Sequence, residues 1–576
     1  MIAKGKIWYQ YGFCCLMILY LTGSLLAQEN AVLERIHLRT DRDLYVVGES
    51  IHFKAFMLTG NTPAQYSDIL YLELMDKQHS PVVQKKFAIS DAECDGSFSL
   101  PTELGSGYFY LRAYTSWMKN YGPESFAYQL ITVINPFEGI ASELITGREG
   151  ENKTEPDEPM DTDPLLETHD IEFHVGIQAK NISTRQKITI HIEAKDGEGN
   201  PVEGSFFLSV ARRGMLETGK GNLLIPPSGQ SIPENQEYPP EWRGHYISGK
   251  IQPRNGGGAY IGDTLLYSVV GKNAAMNYSI SDDQGNFGFL VAPPEGMHEV
   301  VIQNLNPRKS GYQILLDNPF SEIYADIDIP RYQIDTNKLD EINQAVIAAQ
   351  IHALYLDESS HIAVDSNPLS FYGTPERQLI LANYMKLPEM WEVFFELIPQ
   401  AQMRIKEDEV IIRVRNENLG KFADLPPLLL VDGVVTPDNR DAAHLNPLKV
   451  ERIELVTNEY YFGALKFPGI ISFITQEGRC PVDYPPYYFR QAYDFLSHTT
   501  SFTSPVYTDS TEQSPPQPDF RNTLYWNPQI RTDKSGQATV EFYSSDEAAD
   551  FTFILEGLSA DGKSGRYTGT ISIQDR

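Results

Sequence analysis

Apolar and polar residues alternate with a period of two through most of this chain, and that alternation commits it to half-buried strands rather than helices. At 50–57, Ile51, Phe53, Ala55 and Met57 fall on one side and His52, Lys54 and Phe56 on the other. Further strands are predicted at 69–75, 97–100, 107–114 and 130–134, then at 186–192, 205–210, 246–251, 264–270 and 279–291, with 523–576 β again. One local arrangement recurs between them. In 91–98, 283–289, 533–540 and 561–567 an Asp stands a few residues before a Gly, and a strand follows. Asp and Gly both tolerate the backbone angles of tight turns, so these are predicted hairpin tips, with a turn at Asp95-Gly96 among them. This is a repeat of geometry and does not mark a duplicated module.

Helical periodicity is confined to the second half. Residues 336–356 suit a helix, with Thr336 as N-cap and an apolar stripe of Leu339, Ile342, Val346, Ile347 and Ala349. Residues 375–387 and 390–398 suit two more, followed by strands at 409–414, 428–431, 452–456 and 469–475. Pro447 is placed to start a short helix between two of these strands. Leu428, Leu430, Ile453, Leu455, Ile471 and Phe473 are expected to line one face of a shared sheet. The fold class is therefore mainly β and multidomain: β-sandwiches in series with a smaller α/β domain.

At roughly 150 residues per domain, 576 residues suggest about four domains. Lys4 and Lys6 followed by a short apolar run at 13–21 read as a signal peptide over 1–27, cleaved before Gln28. A β-sandwich is expected over 28–136. An acidic linker follows over 137–170, where 148–170 concentrates Asp, Glu and Pro. Residues 171–243 form a β segment with a Pro-rich connection, 244–330 a further sandwich, and 331–374 a helix and connection. Residues 375–478 are the α/β domain, 479–520 a Tyr/Pro-rich linker, and 521–576 a closing β segment.

Charge narrows the partners. Lys and Arg number 47 against 77 Asp and Glu, a net charge of −30, which argues against nucleic acid and anionic membrane surfaces. Beyond the signal only Cys94 and Cys480 remain, too few for a disulfide framework or a cysteine-rich metal site; one bridge between them stays open. No residue is assigned a catalytic, cofactor or metal role. His169 and His174 have a poor spacing for ligation. Gly256, Gly257, Gly258 and Gly262 lack the Lys-Ser/Thr of a phosphate loop. Asp282-Asp283 is read as turn chemistry with Ca²⁺ binding as the alternative, Asp432-Gly433 as a turn, and Tyr484, Tyr487 and Tyr488 as a loop packed on its own domain with a partner surface as the alternative.

Particular motifs carry family likenesses. Thr40-Asp41-Arg42, Tyr45, Gly48-Glu49 and the strand after them, with 107–120 downstream, resemble a macroglobulin domain of the alpha-2-macroglobulin family. So does 521–565, through Leu524-Tyr525-Trp526-Asn527-Pro528 and Thr532-Asp533. No Gly-Cys-Gly-Glu-Gln run occurs, so the thioester chemistry of that family is not implied. Residues 245–251 with 279–291, through Asp282, Asp283, Gly285 and Phe287, resemble a carboxypeptidase regulatory-like β-sandwich. Residues 426–435, 445–456 and 460–478 resemble the plug domain of TonB-dependent receptors, without the roughly 22 strands of a receptor barrel.

Together the likenesses imply a bacterial, Bacteroidota-like envelope protein, in the periplasm or at the outer membrane or cell surface. The implied role is a non-enzymatic interaction scaffold for envelope proteins or peptides, with no transmembrane barrel of its own. The alternatives are a protease-inhibitor-like or adhesive macroglobulin homologue without thioester, and an accessory of TonB-dependent uptake. The plug-like sheet is expected to expose the docking face.

Overall fold

The structure is a computed structural model that describes residues 33–60, 62–138, 145–146, 170–178, 181–216, 236–254, 260–305, 311–327, 329, 332, 334–335, 338–355, 369–407, 409–416, 420–436, 438–499, 501–507 and 517–575. The signal peptide, nearly all of 148–170, Thr336, His169 and Gly256–Gly258 lie outside them.

The chain is mainly β and multidomain. A first sandwich packs Glu34–Thr40, Ser50–Thr59, Thr62–Pro63 and Glu93–Ser99 against a five-stranded sheet. That second sheet runs in the order Leu44–Val46, Ala127–Ile134, Gly107–Tyr114, Ile69–Met75, Pro81–Ala88. Ile51, Phe53, Ala55 and Met57 enter the core between the sheets, as their alternation requires. The opposite face is buried too: Phe56 and Leu58 pack with Phe207, Trp526 and Leu558 of another unit. Asp95-Gly96 is not a turn. Both residues sit inside Glu93–Ser99, where Gly96 pairs with Phe53. A Cβ on Gly96 would come 2.7 Å from the Phe87 ring, so this glycine makes room for an aromatic side chain. The chain reverses instead at Asp91 and Ala92, both at positive φ.

The second sandwich is assembled from two distant parts of the chain. Ile171–Ile177 and Lys187–Asp196 pair with Gln537–Tyr543. Facing them, Gly204–Arg212 lies between Thr523–Arg531 and Asp550–Ser559, and Ser564–Gln574 follows. The segments read separately as 171–243 and 521–576 thus share one core, with Phe206, Leu208, Leu524, Phe553 and Ile571 inside it.

The third sandwich sets Asn286–Val291, His245–Pro253 and Tyr312–Leu316 against Ala275–Ile280, Thr264–Val269, Met297–Asn304 and Phe489–Asp494. Phe489–Asp494 lies in the stretch expected to be a linker; it is an edge strand, because Phe489, Tyr493 and Phe495 have apolar surface to bury on this core. The predicted hairpin about Asp283–Gly285 is also corrected. Ala275–Ile280 and Asn286–Val291 belong to different sheets, so the turn carries the chain across the sandwich. The turns after Asp91 and Asp533 cross between sheets in the same way; only the one at Asp561 joins paired neighbours.

The mixed unit holds a sheet in the order Arg377–Ile380, Val450–Val456, Ile470–Thr475, Leu428–Val431, Val434–Val435. The 375–387 stretch is a strand and a short 3-10 turn rather than a helix, its backbone engaged by pairing with Val450–Val456. Helix α1 is Leu339–Tyr355, α2 Met390–Leu397 and α3 Asn439–Ala443. On α1, Leu339, Ile342 and Val346 pack towards Ile134 and Tyr332, whereas Ile347 is 54% exposed and leaves the predicted stripe.

One register expectation fails. Ile453, Leu455, Ile471 and Phe473 share a face with Leu429 and Val431, while Leu428 and Leu430 point to the other side. Parallel pairing of Leu429 with Ile471 and Val431 with Phe473 fixes this. The other side is covered by Leu266, Ala274 and Met276 of the third sandwich, so the expected docking face is an internal joint.

Candidate functional site

The motif Thr40-Asp41-Arg42, Tyr45 and Gly48-Glu49 of the first strands is a fastening. Asp41 is fully buried and takes hydrogen bonds from the Tyr45 hydroxyl at 2.8 Å, the His52 amide at 2.9 Å and the Thr523 hydroxyl. Glu49 receives Arg42 at 3.0 Å and the Asn522 amide group at 2.9 Å. Nearby, Glu556 meets His37 at 2.7 Å and Arg39 at 2.9 Å. Burial works to raise the Glu556 carboxyl, but Arg39, His37 and Arg566 outweigh it and hold the group below the ordinary carboxylate range. These residues lock the first sandwich to the second.

A second polar cluster joins the first sandwich to the third. Glu241 accepts from the Tyr71 hydroxyl at 2.8 Å and pairs with His245 at 2.6 Å. The other ring nitrogen of His245 lies 2.7 Å from the Tyr493 hydroxyl. The Lys86 ammonium sits 4.2 Å above the Tyr493 ring. Burial pushes Lys86 down to about 8 and also lowers His245. Nothing in the sequence singled these groups out, because they come from four separate stretches that only the fold brings together.

Beside this cluster a cavity of about 880 Å³ opens between the two sandwiches. Its floor is the outward face of His245–Pro253 and Asn286–Val291, with Tyr246, Ser248 and Asn286. Its walls include Lys119, Tyr238, Asp317 and Phe320. Lys119 donates to the Pro319 carbonyl at 3.0 Å and lies 4.3 Å over the Tyr238 ring; burial brings it down to about 8. Asp317 accepts from Ser248 at 2.7 Å.

A third feature lies on the mixed unit. Helix α2 buries Met390, Val393 and Phe394, yet its outer face carries Trp391 at 45% and Phe395 at 78% exposure. Residues four apart stand one above the other on a helix. Met385 before it and Ile405 on the adjoining Ala401–Lys406 strand are exposed as well.

The residues singled out in the sequence take structural places. Asp432 is buried, with its carboxylate accepting from the Thr475 amide at 2.7 Å, the Thr475 hydroxyl at 2.6 Å and the Cys480 amide at 2.8 Å. Asp282 accepts from the backbone of Gln284 and Asn286 at 2.8 Å each and from the Asn286 side chain at 2.9 Å, which occupies both its oxygens. Tyr484 packs at the edge of the mixed-unit core, and Tyr487 and Tyr488 on the third sandwich. Cys94 and Cys480 are both buried and free. Among the described residues no group of three or more His, Cys, Asp or Glu is placed to hold a metal ion, and no helix is long and apolar enough to cross a membrane.

No family model and no curated protein matches the chain. Among solved structures it is similar to Salmonella alpha-2-macroglobulin reacted with methylamine, at 8% identity and a TM-score of 0.24, covering 95% of this chain and 40% of that one. The native conformation of E. coli alpha-2-macroglobulin is similar at 9% identity and a TM-score of 0.24, with 95% and 40% covered. The trypsin-activated E. coli protein gives 8%, a TM-score of 0.24, and 94% and 42% covered. The chain spans about two fifths of the length of these structures.

Proposed function

We propose that this chain is a non-enzymatic, exported envelope protein that works as a multidomain protein-interaction scaffold. The observation that carries this reading is the outer face of α2. A helix apolar on both sides has one face in its own core and a second that a partner is suited to cover. Trp391 and Phe395 are the large aromatic anchors that concentrate binding energy at interfaces. Glu389, Glu392 and Glu396 rim them, which fits a partner groove with an apolar floor and a basic edge. The plug-like sheet, whose faces are both buried, supplies the rigid base on which α2 stands.

A photo-crosslinking residue at position 395 tests this in intact envelopes. A discrete adduct is expected, and it should disappear in a Trp391→Glu variant whose melting temperature is unchanged. Crosslinks to many proteins in proportion to their abundance, or an adduct insensitive to Trp391→Glu, would move the docking surface elsewhere.

A further inference from the structure

The cavity between the first and third sandwiches has a lining that suits one class of small ligand. Its volume of about 880 Å³ falls in the range of pockets that enclose organic molecules, and interfaces between domains are where such pockets concentrate. On its floor, Gly288 has no side chain, and a Cβ there would lie 2.0 Å from the Tyr246 hydroxyl. The Tyr246 ring therefore lies over bare backbone at the cavity floor. Phe320 supplies a second ring on the wall. The lining also holds Ser248, Asn286 and Asp317, groups that together accept and donate hydrogen bonds.

We propose that this cavity is a binding site for a neutral, hydroxyl-rich ligand, a short saccharide, with the pyranose C–H face laid on Tyr246 and its hydroxyls paired with Asp317, Ser248 and Asn286. Other ligand classes fit less well. Lys119 is the one base of the lining against the carboxylates of Glu237, Asp282, Asp317 and Glu322, so an anion meets net repulsion. The face of Tyr238 is already taken by the Lys119 ammonium, so a cation finds no free aromatic face there, and the net negative lining makes a cationic peptide the competitor that the test must include. The carboxylates are partly engaged by neutral donors, Asp282 by its own turn, Asp317 by Ser248 and Glu322 by Asn318 at 3.1 Å. A wholly apolar ligand would strip water from these polar groups and leave them unpaired.

The test is calorimetric titration of the full chain with maltohexaose, xylohexaose and chitohexaose, and with hexalysine and hexaglutamate as charged alternatives. One of the saccharides is expected to bind, and Tyr246→Ala is expected to weaken it by about tenfold or more at an unchanged melting temperature. Asp317→Asn, at an exposed position, is the second variant; it should weaken the same saccharide even if Tyr246→Ala fails to fold. The proposal is overturned if no saccharide saturates the protein at about 10 mM. It is equally overturned if binding is indifferent to the variants that fold, or if hexalysine is the ligand that they weaken.

Discussion

Asp432 offers the sharpest test of how the mixed unit is held. Its carboxylate, with no exposed surface, ties the end of Leu428–Val431 to Thr475 at the end of the neighbouring strand and to Cys480 beyond it. Replacing it with Ala removes an ionised acceptor from three hydrogen bonds and leaves two buried amides without a partner. The Thr475 hydroxyl can turn elsewhere; the amides cannot. At about 1.5–3 kcal/mol for each hydrogen bond to a charged group, the two amides account for about 3–6 kcal/mol. Ala also lacks the local hydrogen bonding that lets Asp adopt a φ of 46°, a further cost of about 1 kcal/mol. Asp432→Ala is therefore expected to destabilise the unit by about 4–7 kcal/mol. Asp432→Asn keeps one acceptor and tolerates the backbone, so it should cost about half as much.

Because a chain of several units does not unfold in a single step, the assay is hydrogen exchange read segment by segment. Amides of 428–431 and 470–475 should lose about three orders of magnitude of protection in the Ala variant, while those of Ile69–Met75 stay unchanged. Protection within about tenfold of wild type in both variants would refute the reasoning and make the Asp432 contacts incidental.

Three further outcomes follow from the same structure. Ile453→Asp places an unpaired charge at a fully buried position and should remove exchange protection across Arg377–Thr475, leaving Glu34–Ile134 folded. Gly433 has a φ of 81° and a Cβ there would come 2.8 Å from the Val269 carbonyl, so Gly433→Ala should loosen the joint between mixed unit and third sandwich, read as faster proteolysis at that joint. The Lys86 ammonium titrates near 8 when folded and near 10.5 when unfolded, so between those values the unfolded chain holds more protons and stability rises with pH. Lys86→Met should therefore gain about 3 kcal/mol over wild type below pH 8, a gain that fades as pH rises towards 10.5; a difference independent of pH would contradict the burial of that charge.

Strands with one or two strong local signals were legible in the sequence. Ile69–Met75 and Gly107–Tyr114 have the limits their residues suggest, since a short run of aliphatic and aromatic residues between turn formers has few other uses. Legibility failed where a residue served a distant neighbour. Gly96 looks like a turn former but yields space to Phe87. The Leu428–Val431 strand is buried on both faces, so it carries no alternation from which to choose between Leu428 and Leu429. Phe489–Asp494 sits among Tyr and Pro and becomes a strand only because the sheet ending at Met297–Asn304 offers an edge. The junction cluster of Tyr71, Lys86, Glu241, His245 and Tyr493 was invisible for the same reason. Glu241 and His245 are four apart, but no spacing along the chain records their contacts with Tyr71, Lys86 and Tyr493.

The two-part second sandwich has a consequence for how the chain comes into being. Synthesis runs from the N-terminus, so Ile171–Arg212 emerges roughly 300 residues before the strands between Thr523 and Gln574 that complete its sheets. Until then, Lys187–Asp196 and Gly204–Arg212 offer unpaired backbone and apolar side chains to whatever passes. The first sandwich can close at once, whereas this one must wait, and its long loop closure makes it a slow step. An escort that shields an open sheet edge during that interval, and a nascent chain vulnerable to mispairing if the final strands are lost, are what such a topology demands of its cell.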